Sequence, residues 1–343
     1  MRILACSDIH LGRICAVEGS DLTGSSAWEA VVETAIAQEV DALVLAGDIV
    51  DNDNFWFEAY GPLLRGFERL NAERIAIIAV AGNHDSSISP KLIKEKPFVN
   101  ILGLNGKWEA LDLHGVRFIG WSFPGTYYEE DPFNTFPQEL LKTDLPILGV
   151  LHCEVNGASR YAPVPEHRFK PPAFWVLGHT HKPVVTESYV NCGSPFALDR
   201  GETGDHGVFL IELEGKHWGK PKMLSLTPHR FEECSVELDA ATGKDDVRDS
   251  INVALREEGE RIAAENYRGD LFCRLTFRGR VSPQLELNKI LNNEELNQLK
   301  IDITEGLRAS PVGNYRDETS LELDLKIISE GGGIKGLLAN ELL

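Results

Sequence analysis

The chain has no C-x-x-C pair and no dense cysteine spacing; its six cysteines (Cys6, Cys15, Cys153, Cys192, Cys234 and Cys273) are scattered through 343 residues. A disulfide scaffold is excluded, and the expected compartment is reducing. No apolar run approaches the roughly 18 residues of a membrane helix, and Met1 to Cys6 is too short for the apolar core of a signal peptide. The expectation is a soluble cytoplasmic protein that uses no membrane. Positive charge is scarce as well: 34 Lys and Arg against 53 Asp and Glu give a formal charge of -19. That excludes a simple nucleic-acid coat protein, which needs clustered Lys and Arg to neutralise phosphate. An enzyme with a locally positive cleft is not excluded, since bound divalent metals supply charge that a side-chain count misses. With 43% hydrophobic and 25% charged residues the chain is of ordinary globular composition, and its length suggests two domains.

What is present is a repeated grammar. Five short apolar runs, Ile3 to Cys6, Ala42 to Ala46, Ile75 to Ala81, Ile147 to Leu151 and Phe174 to Leu177, each lead directly into Gly, Asp, Asn, Ser or His. Continuous rather than alternating apolar residues mark strands buried on both faces. Between the early runs, Trp28, Val31, Val32, Ala35 and Ile36 line one helix face after the capping candidates Ser25 and Ser26, and Tyr60, Leu63, Leu64, Phe67 and Leu70 line another. The order implies a layered α/β domain over residues 1–230. Gly115 to Trp121 reads as a further strand, Ser122 to Gln138 as a long loop, and Val190 to Leu226 as several short strands. From about residue 231, a strand at Ser235 to Leu238, a long helix through Val247, Ile251, Leu255 and Ile262, a strand at Leu271 to Phe277, a helix at Leu285 to Leu291 and a strand at Leu299 to Ile303 predict a small α+β domain over 231–310. Residues 311–343 add an alternating strand (Leu321, Leu323, Leu325, Ile327), three glycines and a short apolar tail, either a docking segment or a frayed terminus.

Five motifs follow the five runs: Asp8-Ile9-His10, Gly47-Asp48, Gly82-Asn83-His84-Asp85, His152 and Gly178-His179-Thr180-His181. Strand C-termini in an α/β sheet converge on one edge, where ligands gather. The Asp-x-His and His-x-His spacings suit this if the segments are extended, because residues i and i+2 then share a side. Imidazoles, carboxylates and one amide oxygen, without thiolate, suit Mn, Fe or Zn better than Mg or Ca. Seven such ligands are too many for one ion. Two metals about 3.5 to 4 Å apart are the natural reading, an arrangement that serves phosphoester hydrolysis.

At these residues the sequence resembles the calcineurin-like metallophosphoesterases over roughly residues 1–230. Asp8-Ile9-His10-Leu11-Gly12, Gly82-Asn83-His84-Asp85 and Gly178-His179-Thr180-His181-Lys182-Pro183 are similar to the DNA-repair exonuclease branch of the SbcD and YhaO type. The resemblance implies a β-sandwich flanked by helices, with a smaller C-terminal α+β capping domain. It implies that Asp8, His10, Asp48 and His181 hold one metal and that Asp48, Asn83, His152 and His179 hold the other, manganese being the usual ion. His84 takes the role of stabilising the reacting phosphoryl group and protonating the leaving oxygen, with Asp85 as its orienting partner. A hydroxide shared between the metals attacks phosphorus in line. The implied partners are DNA and an ABC-type coiled-coil ATPase of the SbcC kind, with room for a homodimer.

Outside the motifs, Arg13, Arg200 and Tyr127, the last within the aromatic stretch Trp121 to Tyr128, are candidates for substrate contact. Phe55, Trp56 and Phe57 read as packing at a helix start, and His114, His167, His206, His217 and His229 as surface or turn residues. Three readings stay open: a DNA phosphodiesterase, a cyclic-nucleotide or other small-molecule phosphodiesterase, and a weakly catalytic subunit docked on an ATPase. A Ser/Thr protein phosphatase is disfavoured, because that branch has Gly-Asn-His-Glu where this chain has His84-Asp85.

Overall fold

The computed structural model describes residues 1–14, 23–52, 56–88, 91, 96–239, 241, 243–282, 285–321, 329–331 and 333–342. Cys15, Phe55, Leu323, Leu325, Ile327 and Leu343 lie outside them. The chain divides into two compact units, Met1–Thr227 and Pro228–Leu343.

The first unit is built on two sheets. In one, β1 (Arg2–Cys6) pairs in parallel with β2 (Ala42–Ala46), β2 with β3 (Ala76–Val80) and β3 with β4 (Val99–Ile101), while Gly207–Glu214 runs antiparallel along the other side of β1. In the other, β5 (Trp108–Leu113) pairs antiparallel with β6 (Val116–Trp121), which runs parallel to β7 (Ile147–His152); β7 is parallel to Ala173–Gly178, and that strand to Tyr189–Asn191.

The apolar runs are continuous because both sides of each strand are covered. Ile3, Ala5, Val44, Ile78 and Val80 meet Phe118, Leu148, Val150, Phe174 and Val176 between the sheets. The alternate residues Leu4, Cys6, Leu43, Leu45 and Ile77 pack outward on two helices, α1 (Gly24–Ala37) and α2 (Trp56–Ala72). Trp28 of α1 stands edge-on to Phe67 of α2, with centroids 5.4 Å apart, and its Nε1 donates to the Pro62 carbonyl at 3.0 Å. Burying each such side chain contributes roughly 1.5 to 3 kcal/mol. On the far face of the second sheet, Trp121, Leu151, Trp175 and Leu177 are covered by Phe133, Phe136 and Phe169. The layers are therefore helix, sheet, sheet and loop.

Local details differ from the sequence reading. The cap of α1 is Thr23, whose hydroxyl accepts from the Ser26 amide while the Ser26 hydroxyl accepts from the Thr23 amide; Ser25 and Ser26 lie inside the helix. Phe57 is 90% exposed, so it does not pack at the start of α2. His206 and His229 are buried rather than at the surface, whereas His114, His167 and His217 are exposed.

In the second unit the strand His229–Glu237 begins earlier than the alternation at Ser235 suggested, because Phe231 is buried within the same strand. It runs parallel to Gly269–Arg278, which is parallel to Leu307–Pro311, and that strand is antiparallel to Ile301–Thr304. The helix Lys244–Ala264 lays Val247, Ile251, Leu255 and Ile262 into a core with Val236, Leu271, Leu275 and Phe277. The helix expected over Leu285 to Leu291 shrinks to Leu287–Ile290, and the apolar tail is helical over Gly333–Leu342. No helix among the described residues is long and apolar enough to cross a membrane.

Candidate metal centre

All five motif-bearing segments end at one edge of the first unit. β1, β2 and β3 deliver Asp8 and His10, Asp48, and Asn83 to Asp85 from one sheet; β7 ends on His152, and Ala173–Gly178 leads to His179 and His181 from the other. The segments are not extended at the key positions. Asp8 (φ 52°), His10 (φ 48°), Asp48 (φ 51°) and His179 (φ 97°) all adopt left-handed backbone, so sharp reversals rather than strand periodicity turn these side chains inward. Such residues cost on the order of 1 to 3 kcal/mol each and persist where the surroundings over-determine them.

The surroundings do so here through backbone bonds between neighbouring loops. The Asp8, His10 and Leu11 amides donate to the Gly47, Asp48 and Ile49 carbonyls at 3.1, 3.0 and 2.9 Å. Asp48 Oδ1 accepts from the His84 amide at 2.9 Å, and Asp8 Oδ2 from the His179 amide at 3.0 Å. Two glycines make room. A Cβ on Gly47, which has φ +90°, would stand 2.5 Å from His152 Nδ1, and one on Gly82 would stand 2.1 Å from Asp48 Oδ1.

The inward atoms are arranged as a donor set. His10 Nε2 lies 4.0 Å from Asp8 Oδ1 and 3.9 Å from Asp48 Oδ2, and His181 Nε2 lies 3.8 Å from Asp8 Oδ1. His152 Nε2 lies 3.3 Å from Asp48 Oδ2 and 3.1 Å from Asn83 Oδ1. The ring of His179 lies 5.3 Å from that of His152. Two ligands each about 2.1 Å from a shared ion stand roughly 3 to 4 Å apart, so these separations suit coordination. His10 Nε2 is buried with no hydrogen-bond partner, and Asp8 and Asp48 are fully buried beside it. An orphaned imidazole nitrogen facing two buried carboxylates fits a cation.

Each of three histidines is oriented from behind. His10 Nδ1 donates to Asp51 Oδ1 at 2.9 Å, His181 Nδ1 to Glu202 Oε1 at 2.6 Å and His152 Nδ1 to the Ala46 carbonyl at 2.8 Å. The Asp51 carbonyl accepts from His84 Nδ1. Asp85 is a backbone staple: its two oxygens accept from the Gly82 amide at 2.8 Å and the Ile49 amide at 2.7 Å, tying the loops after β2 and β3.

Ionisation follows this crowding. Burial and then the charge of Asp48 push Asp85 up to about 6. Burial would also raise Asp48, but the charges and hydrogen bond of the surrounding histidines, His152 first, hold it well below the carboxylate range. Burial opposes protonation of His152, yet Asp48 lifts it to about 9. His179, half-buried and beside His152, falls to about 4 through partial burial and then the charge of His152.

The remaining candidates lie around this centre. Tyr127 is 49% exposed and lines a cleft of about 690 Å³ with Asn52, Asn83, His84, Asn105 and Tyr161. The Arg160 guanidinium lies 3.9 Å over its ring. Arg13 is half-buried, and its charge adds to the histidines in lowering Asp51, whereas His181 is raised on balance by its hydrogen bond to Glu202 and the charge of Asp8. Arg200 is half-buried in the turn that carries Glu202. Asp51, Glu202 and Tyr161 escaped the sequence reading. Asp51 stands three residues after Asp48, the one signal that could have found it; Glu202 and Tyr161 belong to no spacing pattern.

A two-sheet α/β sandwich with this donor set at its edge defines a metal-dependent phosphoester hydrolase. Residues 1–183 match the family model described as calcineurin-like phosphoesterase, and the chain belongs to that family. It is 27% identical to the SbcD component of the nuclease SbcCD from Rhodobacter capsulatus, over 63% of this chain and 67% of that one. It is 24% identical to the corresponding SbcD component from Staphylococcus epidermidis, over 94% of this chain and 92% of the relative. An uncharacterized metallophosphoesterase of Bacillus subtilis, YhaO, is 24% identical over 53% of this chain, which spans about half of its length (48%).

Proposed function

We propose that the protein is a DNA-repair nuclease of the SbcD type, a two-metal phosphodiesterase using manganese. In this reading Asp8, His10, Asp48 and His181 hold one ion, Asp48, Asn83, His152 and His179 hold the other, and Asp48 is shared. The observation that carries it is the gathering of ligand atoms from Asp8, His10, Asp48, His152 and His181, with His84 beside them, in overlapping groups within 4.8 Å. Imidazole, carboxylate and amide oxygen without thiolate favour Mn, Fe or Zn. When bound, two such ions lower the pKa of a water and neutralise charge on the phosphoryl oxygens.

The chain supplies the rest. Asp51 holds His84 through Nδ1, leaving Nε2, 4.0 Å from Asp48 Oδ2, as the atom that gives a proton to the departing oxygen. Arg13 and Arg200 meet backbone phosphate, and Tyr127 meets the sugar or base. Residues 231–310 help to seat DNA. The helix Gly333–Leu342, with Ile334, Leu337 and Leu338 exposed, docks on a coiled-coil ATPase subunit. Support for DNA and for such a subunit comes from the two relatives that are components of the nuclease SbcCD.

One observation favours a second reading, a small phosphodiester such as a cyclic nucleotide: among the described residues, neither Lys nor Arg lines the cleft beside His84. Digestion of linear single- and double-stranded DNA with manganese decides between them. The nuclease reading expects degradation that disappears in Asp48→Ala. Hydrolysis of bis-p-nitrophenyl phosphate or cyclic nucleotides with DNA left intact would select the second reading.

A further inference from the structure

Two carboxylates outside both proposed ligand sets stand behind two of the histidines. Asp51 Oδ1 accepts from His10 Nδ1 at 2.9 Å, and Glu202 Oε1 from His181 Nδ1 at 2.6 Å. Both acids are themselves fixed. Asn52 Nδ2 donates to Asp51 Oδ2 at 3.1 Å; Glu202 Oε2 accepts from the Leu198 amide at 2.7 Å and from the Ser194 hydroxyl at 3.3 Å. His10 and His181 are the two histidines assigned above to one metal position.

The histidines of the other position are backed differently. His152 Nδ1 meets the uncharged carbonyl of Ala46 at 2.8 Å, and the ring of His179 packs 5.1 Å from that of Tyr161. Among the described residues, no carboxylate outside the ligand set bonds either ring. A carboxylate behind an imidazole fixes the tautomer with Nε2 free, raises the basicity of that nitrogen and brings a negative charge close to the ion. A backbone carbonyl fixes the tautomer and brings no net charge.

We propose that Asp51 and Glu202 are positioning residues that make the two metal positions unequal: the position of Asp8, His10, Asp48 and His181 fills first and holds its ion more tightly. This rests on the two-metal reading above. Asp51 has a second attachment, since its carbonyl also receives His84 Nδ1. The same residue therefore secures the tighter position and the proton donor.

Calorimetric titration of the metal-free protein with manganese, paralleled by loss of the free-ion EPR signal, tests this. Two resolved steps of one ion each are expected, with His179→Asn removing only the weaker. Glu202→Gln and Asp51→Asn, which keep the shape and remove the charge, should each weaken the tighter step about 10- to 100-fold and leave the weaker step unchanged. Circular-dichroism melting of the metal-free variants verifies that they are folded. Two equal steps, or variants that weaken both steps alike or neither, would overturn the inference and leave two metals standing. Failure of the unaltered protein to bind manganese would overturn the two-metal reading itself.

Discussion

The side chain of His84 is 40% exposed, while those of its neighbours His10 and Asp48 are 2% and 3% exposed. A histidine at the open side of a buried donor set is placed to meet a substrate. His84→Gln is expected to lower kcat by about 10² to 10⁴-fold. Bound metal, measured by elemental analysis, should stay as in the parent; a variant that loses its metal along with its activity would make His84 a ligand instead. The donor residues were legible in the sequence because each follows a run of buried strand, and a reactive side chain directly after such a run must lie at a sheet edge. Asp51 and Glu202 were not legible. Each acts through the back of a histidine brought near by the fold, and no spacing in the chain records that approach.

Elements show the same division. The five strands were readable from continuous Val, Ile and Leu, since a strand covered on both faces needs no polar alternation. The cap of α1 was misplaced by two or three residues because Thr23, Ser25 and Ser26 are all good caps in isolation, and only the reciprocal bonds of Thr23 with Ser26 select one. Thr23→Ala is expected to cost about 0.5 to 2 kcal/mol in a urea unfolding curve. An unchanged midpoint would mean that the cap contributes nothing. The left-handed turns at Asp8, His10, Asp48 and His179 were invisible too, because Asp and His do not announce positive φ as glycine does. Leu307–Pro311 went unread, its alternation carried by small residues and ended by a proline.

Across the molecule, periodicity could say that strands and helices alternate, but not that the strands part into two facing sheets. The packing of Ile3 and Val44 against Leu148 and Val176 joins residues more than one hundred positions apart, and only the expectation of a sandwich came from the family resemblance. Among the described residues the apolar cores are built from side chains other than the proposed ligands, so chelation should abolish hydrolysis while the far-ultraviolet circular dichroism is retained. Each manganese position should then contribute about 2.7 kcal/mol of stability at 100 times its own dissociation constant, read as a rise in melting temperature. A melting curve indifferent to manganese would deny that the folded edge binds it.

Anomalous scattering from crystals soaked in manganese tests the central claim most directly. Two peaks about 3.5 to 4 Å apart are expected, with Asp48 reaching both. A single peak, or none within reach of Asp48, would contradict it.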